Sequence, residues 1–293
     1  MKKIILFAFL FLSSSYLLKA QDDLMDIFGE EDVVDYTTAI FKTTRLALGF
    51  SVENPAKNDM IFIISHHFGK ISGGAYEFFG LDQATMRLGF EYGINDRLTV
   101  GIGRSTYNKT YDGFVKYKLL RQSKGARTMP VTLNLVAGAY INSLKWTEPE
   151  RENYFSSRMS YMFQALVARK FNKRLSLQLM PTVIHKNLVA TAADANDIIS
   201  IGGGGRYKFT SRSSINIEYY YVIPDQISSY EYVNSLTVGF DIETGGHVFQ
   251  LFFSNSVPIN TPDFITQTNE KWTDGGIYFG FNIARVFTIS KKH

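Results

Sequence analysis

The chain has 293 residues, 45% of them hydrophobic and 15% aromatic, with 24 Phe, 17 Tyr, no Cys and a formal charge of +4. Lack of Cys excludes a disulfide framework and a lipid anchor on an N-terminal Cys. Lys2, Lys3 and Lys19 carry three of the four net positive charges, so the rest is nearly neutral, without the basic patch a nucleic-acid partner requires.

Residues 1–20 read as a secretory signal peptide. Lys2 and Lys3 precede an apolar run over residues 4–12, and cleavage is expected near Ala20-Gln21. Beyond it no run of about 18 apolar residues occurs, which excludes helical spans. Residues 21–41 form an acidic segment expected in the periplasm. Its first fifteen residues hold seven acids and no base, interrupted by Leu24, Met25, Ile27 and Phe28. Those four are candidate contacts, either with another outer-membrane or periplasmic protein or as a plug inside a barrel; a solvated tail is the alternative.

Residues 42–293 read as a transmembrane, up-and-down antiparallel β-barrel. Ala84-Met86-Leu88-Phe90-Tyr92 alternates with Thr85-Arg87-Gly89-Glu91-Gly93, the two-residue period of a strand between an oily and a wet side. In chain order the predicted strands are 43–52, 59–68, 84–94, 97–105, 111–120, 129–141 and 157–169, then 174–184, 198–209, 214–223, 235–243, 247–254 and 276–288. Many are about twice the length of a globular strand, as a tilted membrane crossing demands. Single-chain barrels close with an even strand number, so either residues 33–41 supply a fourteenth or one of the thirteen segments is not a strand; fourteen is expected, with twelve as the alternative.

The connections alternate in length. Asn95-Asp96, Phe171-Asn172-Lys173, Thr210-Ser211-Arg212 and Thr244-Gly245-Gly246 are tight and read as periplasmic turns. Residues 69–83, 142–156, 186–197, 224–232 and 255–275 read as extracellular loops, the first containing an apolar stretch over 76–81 that folds inward, lies at the membrane surface or packs on its own rim. Phe50, Phe68, Tyr107, Tyr140, Phe155, Phe171, Phe209 and Phe287 fall near strand ends, where interfacial aromatic girdles are expected.

Strand parity assigns lumen-lining side chains: Arg87, Arg97, Lys116, Lys118, Arg158, Arg206 and Lys208 against Glu91, Glu218, Asp241 and Glu243, with Gln164 and Gln178 among them. Such a lumen is either filled, with charges paired across it, or an open pore with a mild preference for anions. Nothing marks an enzyme. His66 and His67 are strand neighbours and must face opposite sides, and the runs Gly101-Ile102-Gly103 and Gly202 to Gly205 lack the strand-to-helix context of phosphate binding, so they read as room for bulky neighbours. No cofactor or metal is expected.

Phe41-Lys42-Thr43-Thr44-Arg45, Ile64-Ser65-His66-His67-Phe68-Gly69, Phe79-Gly80-Leu81-Asp82, Gly93-Ile94-Asn95-Asp96-Arg97-Leu98-Thr99-Val100-Gly101 and Asn282-Ile283-Ala284-Arg285-Val286-Phe287 together resemble a Bacteroidota family of outer-membrane β-barrels of undefined function. The likeness spans nearly the whole mature chain; His67 departs from it, standing where that family usually has Arg. It implies a barrel in contact with outer-membrane lipid. The expected function is a narrow or plugged passive channel for small solutes, with an accessory or scaffolding subunit of a larger complex, or a hydrophobic-solute transporter with an N-terminal hatch, as alternatives.

Overall fold

The computed structural model describes residues 33–289. In chain order its strands are β1 (Val34–Tyr36), β2 (Asp59–Lys70), β3 (Ala84–Gly93), β4 (Leu98–Ser105), β5 (Tyr111–Leu120), β6 (Ser123–Gly125), β7 (Thr132–Ile141), β8 (Met159–Lys170), β9 (Leu175–Lys186), β10 (Asp197–Lys208), β11 (Ser213–Val222), β12 (Ser235–Thr244), β13 (His247–Ser254) and β14 (Tyr278–Thr288). One short helix, α1 (Thr261–Thr266), lies between β13 and β14. Twelve strands, β2 to β5 and β7 to β14, form one closed antiparallel barrel in which each pairs with its neighbours along the chain and β14 closes on β2. β1 and β6 form a separate two-stranded sheet.

Alternation dictates which side of the wall each residue takes. Along β3, Arg87, Gly89, Glu91 and Gly93 are buried, whereas Leu88 and Phe90 are exposed. On the outside, Ile102, Leu135, Phe163, Leu179, Ile201, Ile217 and Phe253 belong to a band of large exposed apolar side chains that encircles the barrel. A band of that size is unstable in water and stable against lipid. The tight turns have their own hydrogen bonds: Asn95 Oδ1 accepts from the amides of Arg97 and Leu98, and Asn172 Oδ1 from those of Arg174 and Leu175, all at 2.8 Å.

The barrel has twelve strands, the alternative count, and not fourteen. Residues 43–52 are not a wall strand, and the barrel begins at Asp59 rather than at residue 42. The amide of Leu46 donates to Gly49 O (2.9 Å) and that of Ser51 to Thr44 O (2.9 Å), so this segment doubles back as a tight hairpin. It lies inside the barrel, where alternating residues meet opposite parts of the wall; period two there reflects a packed hairpin instead of lipid on one side and water on the other. The predicted strand over 33–41 shrinks to β1, which pairs outside the barrel. Phe50 and Tyr140, read as girdle aromatics, are both buried in the interior.

Candidate functional site

The lumen is where the inward side chains converge, and the chain itself fills it. Ile40, Phe41, Leu46, Leu48 and Phe50 of the inner segment pack with Phe114, Val136, Met162, Leu166, Met180, Tyr220 and Phe252 of the wall in one buried apolar cluster. The wet interior suggested by the polar inward positions is therefore a mixed, solid core. Glycines make the fit possible: a Cβ on Gly204 would stand 2.2 Å from a Leu46 methyl, and one on Gly49 would stand 2.0 Å from the Tyr220 hydroxyl.

Between these apolar contacts, polar wall side chains bond to the backbone of the inner hairpin. The amides of Leu48 and Gly49 donate to the Glu218 carboxylate at 2.6 and 3.2 Å. Asn216 Nδ2 and Gln250 Nε2 donate to Leu46 O (3.1 and 3.0 Å), and Asn282 Nδ2 donates to Ala47 O (2.7 Å). Gln178 grips two points, donating to Phe50 O (2.7 Å) and accepting from the Val52 amide (2.9 Å), while Asn134 Nδ2 donates to Val52 O (2.7 Å). Lys116 Nζ donates to Glu53 O, and Arg206 Nη2 to Ala39 O (2.8 Å). A hairpin in a barrel has no sheet neighbours, so its backbone groups must find partners in the wall.

Two ion pairs cross this interior. Arg45 Nη2 of the hairpin meets Glu91 Oε1 at 3.0 Å, its guanidinium 3.9 Å above the Phe50 ring. Arg87 holds Asp112 through two bonds of 2.9 and 2.5 Å. At the rim formed by the tight turns Lys42 pairs with Glu243 and donates to Ser211 O (2.6 Å).

The end of the barrel that carries the long loops is closed by the loop between β13 and β14. The Asn260 side chain caps α1 by accepting from the Asp263 amide (3.1 Å), and Phe264 and Ile265 are buried, the Phe264 ring edge-on to Tyr220 at 5.2 Å. Tyr230 donates to Thr266 O, Tyr107 to Gln267 Oε1 (3.2 Å), and Trp272 Nε1 to Leu236 O (3.1 Å). Burial pushes the Tyr230 hydroxyl up to about 12. Where the inner hairpin and this outer loop meet, a space of about 10 Å³ remains, lined by Arg45, Phe50, Arg87, Asp112, Tyr140 and Thr261 among others. That is room for about one water.

Of the residues assigned to the lumen by parity, Arg87, Glu91, Lys116, Gln164, Gln178, Arg206, Glu218 and Asp241 are buried inside the barrel. Lys118 and Lys208 are half-buried. Two placements are corrected. Arg97 is exposed in a tight turn, one residue before its strand begins, so parity does not govern it. Arg158 sits in a short turn preceding β8 at the long-loop rim, its guanidinium 3.7 Å from the Trp146 ring. Glu243 keeps the inward parity of Asp241, opposite Val248, and is exposed at the rim, where its partner is the hairpin's Lys42. Leu24, Met25, Ile27 and Phe28 lie outside the described residues. His67 is buried against Phe252, whereas His66 stacks on Phe281 at 5.2 Å on the outer face. The stretch over 76–81 does not fold inward; Tyr76 is 96% exposed.

The closing helix was missed at the sequence level, although Asn260-Thr261-Pro262-Asp263 is a helix-start signature: cap, early Pro, acid in the first turn. The hairpin tip, Leu46 to Gly49, carries only one turn-favouring residue and left no comparable signal.

Several solved structures are similar to the chain at TM-scores below 0.5. The porin NanC superposes with a TM-score of 0.49 and 10% identity, covering 78% of this chain and 98% of its own. The KdgM porin gives 0.44 and 11%, covering 78% and 99%. The COG4313 outer membrane channel from Pseudomonas putida F1 gives 0.44 and 13%, covering 84% and 100%. A comparison with curated proteins finds no match. Residues 41–287 match the family described as a membrane-bound beta-barrel domain, DUF5777. That match takes in the lumenal hairpin as well as all twelve wall strands, and the chain therefore belongs to this family of membrane-bound β-barrels.

Proposed function

We propose that this protein is a non-enzymatic outer-membrane barrel of a diderm bacterium, exported by a signal peptide cleaved near Ala20-Gln21, that acts as a plugged passive channel for small solutes. It is shut as folded and conducts when the hairpin over residues 37–58 leaves the lumen. The carrying observation is the ladder formed by Glu218, Asn216, Gln250, Asn282, Gln178 and Asn134. These wall groups bond to the backbone of the hairpin, so its departure exposes polar positions that water can satisfy.

Planar-bilayer conductance tests this reading. The full chain should be silent, and a variant lacking residues 37–58 should show discrete conductance steps. A deletion variant that folds, as judged by heat-modifiable gel mobility, yet stays silent would sink the channel reading.

A second reading has one observation of its own. Tyr76, Phe78, Phe79 and Leu81 project from the extracellular side with Phe78 and Phe79 in the left-handed backbone region, φ 46° and 55°. Exposed aromatics on a strained loop suit an accessory subunit docking on a larger envelope complex. Co-purification of a stoichiometric partner that is lost on Tyr76→Ser and Phe78→Ser substitution would favour it, as would a partner lost on removal of the acidic residues 21–35.

A further inference from the structure

Outside the plugged lumen, the extracellular mouth holds two adjoining cavities of about 360 and about 170 Å³ that share Lys186, Leu188 and Gln267 in their walls. The larger is mostly apolar, bounded by Leu188, Val189, Ile198, Ile227 and Tyr230. The smaller is polar and includes Asn108, Ser160 and Arg158. Its larger chamber lies within the size range of small-molecule sites, about 300–1000 Å³.

Lys186 stands at the junction. It ends β9 at the inward parity of Thr182 and Ile184, and its half-buried ammonium donates to Thr266 Oγ1 at 2.8 Å. That leaves two of its three N–H donors. Among the described residues no carboxylate lies within ion-pairing distance of it.

The two acids that line these cavities are already committed. Asp194 accepts from the amides of Thr191, Ser228 and Ser229 at 3.0, 2.7 and 2.9 Å and from the Thr191 hydroxyl at 3.0 Å. Asp263 accepts from Asn260 Nδ2 and Gln267 Nε2, both at 2.7 Å. Arg158 adds a second cation to the polar chamber. A partly desolvated cation with open donors, beside an apolar chamber and near another cation, matches an anionic group carried on an apolar body.

We propose that the paired cavities bind a small organic carboxylate, its charge held at Lys186 and its apolar part lodged between Leu188, Ile198, Ile227 and Tyr230. The site lies above the closing helix and does not depend on whether the hairpin ever leaves the lumen. Its failure would leave the channel reading untouched, and the reverse holds too.

The test is isothermal titration of the detergent-solubilised full chain with naphthoate and with the neutral naphthylmethanol, after subtracting titrations into micelles alone. Naphthoate should bind with one-to-one stoichiometry and at least about tenfold more tightly than the alcohol, the size of one charge-assisted bond. Lys186→Met should abolish that preference. Equal affinity for the two probes, an undiminished preference in Lys186→Met, or no saturable binding of naphthoate would each overturn the proposal. If Lys186→Met does not fold, Leu188→Trp decides: it fills the apolar chamber from an exposed position and should remove naphthoate binding, and unchanged binding would refute the site.

Discussion

At the scale of single residues, Glu218 seats the tip of the hairpin. Its carboxylate accepts from two amides there, so Glu218→Ala leaves two buried N–H groups without that partner. Each such group costs about 1–3 kcal/mol. The expected outcome is a hairpin that loosens before the barrel melts, read as proteolysis within residues 37–58 at temperatures where the wall strands remain protected. Gly204→Val attacks the same contact from the apolar side. Its side chain would claim the space of Leu46, and we expect a comparable loss of hairpin protection.

At the scale of elements, polar groups tie the long loops to each other. Asp194 joins the β9–β10 loop to the β11–β12 loop through the amides of Ser228 and Ser229, and those bonds hold its carboxyl well below the usual range. A carboxyl depressed on folding contributes stability that is complete above its unfolded value, about 4, and is lost only as pH falls on through the depressed folded value. Acidification from about pH 6 to about pH 3 should therefore begin to release the two loops, the rest of the tie going only at still lower pH, while the barrel stays folded. Amide exchange at Ser228 and Ser229, corrected for its intrinsic pH dependence, should show that release, and Asp194→Asn should show it at both pH values. Helix α1 depends on one cap. Asn260→Ala removes it at a cost of about 1 kcal/mol, and the expected readout is faster exchange of the Asp263 and Phe264 amides.

At the scale of the molecule, the wall and its contents form one cooperative unit. The hairpin tip and α1 both touch Tyr220, through Gly49 below and Phe264 above, so the two closures share a central side chain. Removal of residues 37–58 strips apolar partners from Phe114, Met162, Leu166, Met180 and Phe252 and replaces them with water. The deletion variant should still close as a barrel, because the wall hydrogen bonds are untouched, but it should convert to the unfolded gel form at a lower temperature than the full chain. An unchanged conversion temperature would mean that the hairpin is a passenger and not part of the core.

Much of this was legible in the chain alone. Side-chain period two with long segments identifies the twelve wall strands to within a few residues, because lipid outside and a confined interior sort side chains by chemistry without reference to distant contacts. The same parity rule places Arg87, Glu91, Lys116, Arg206 and Glu218 inward, and it fails at Arg97 and Arg158, where a turn releases the backbone from alternation. What only the tertiary structure decided is the fate of residues 43–52 and of α1. Their partners, Glu218, Gln178, Asn282 and Tyr220, lie more than a hundred residues from the hairpin, and a segment packed by walls on every side shows the same alternation as one that forms the wall. Local pattern reports that a segment is sandwiched; whether lipid or the protein's own barrel supplies the two sides is a property of closure, which no local stretch of sequence contains.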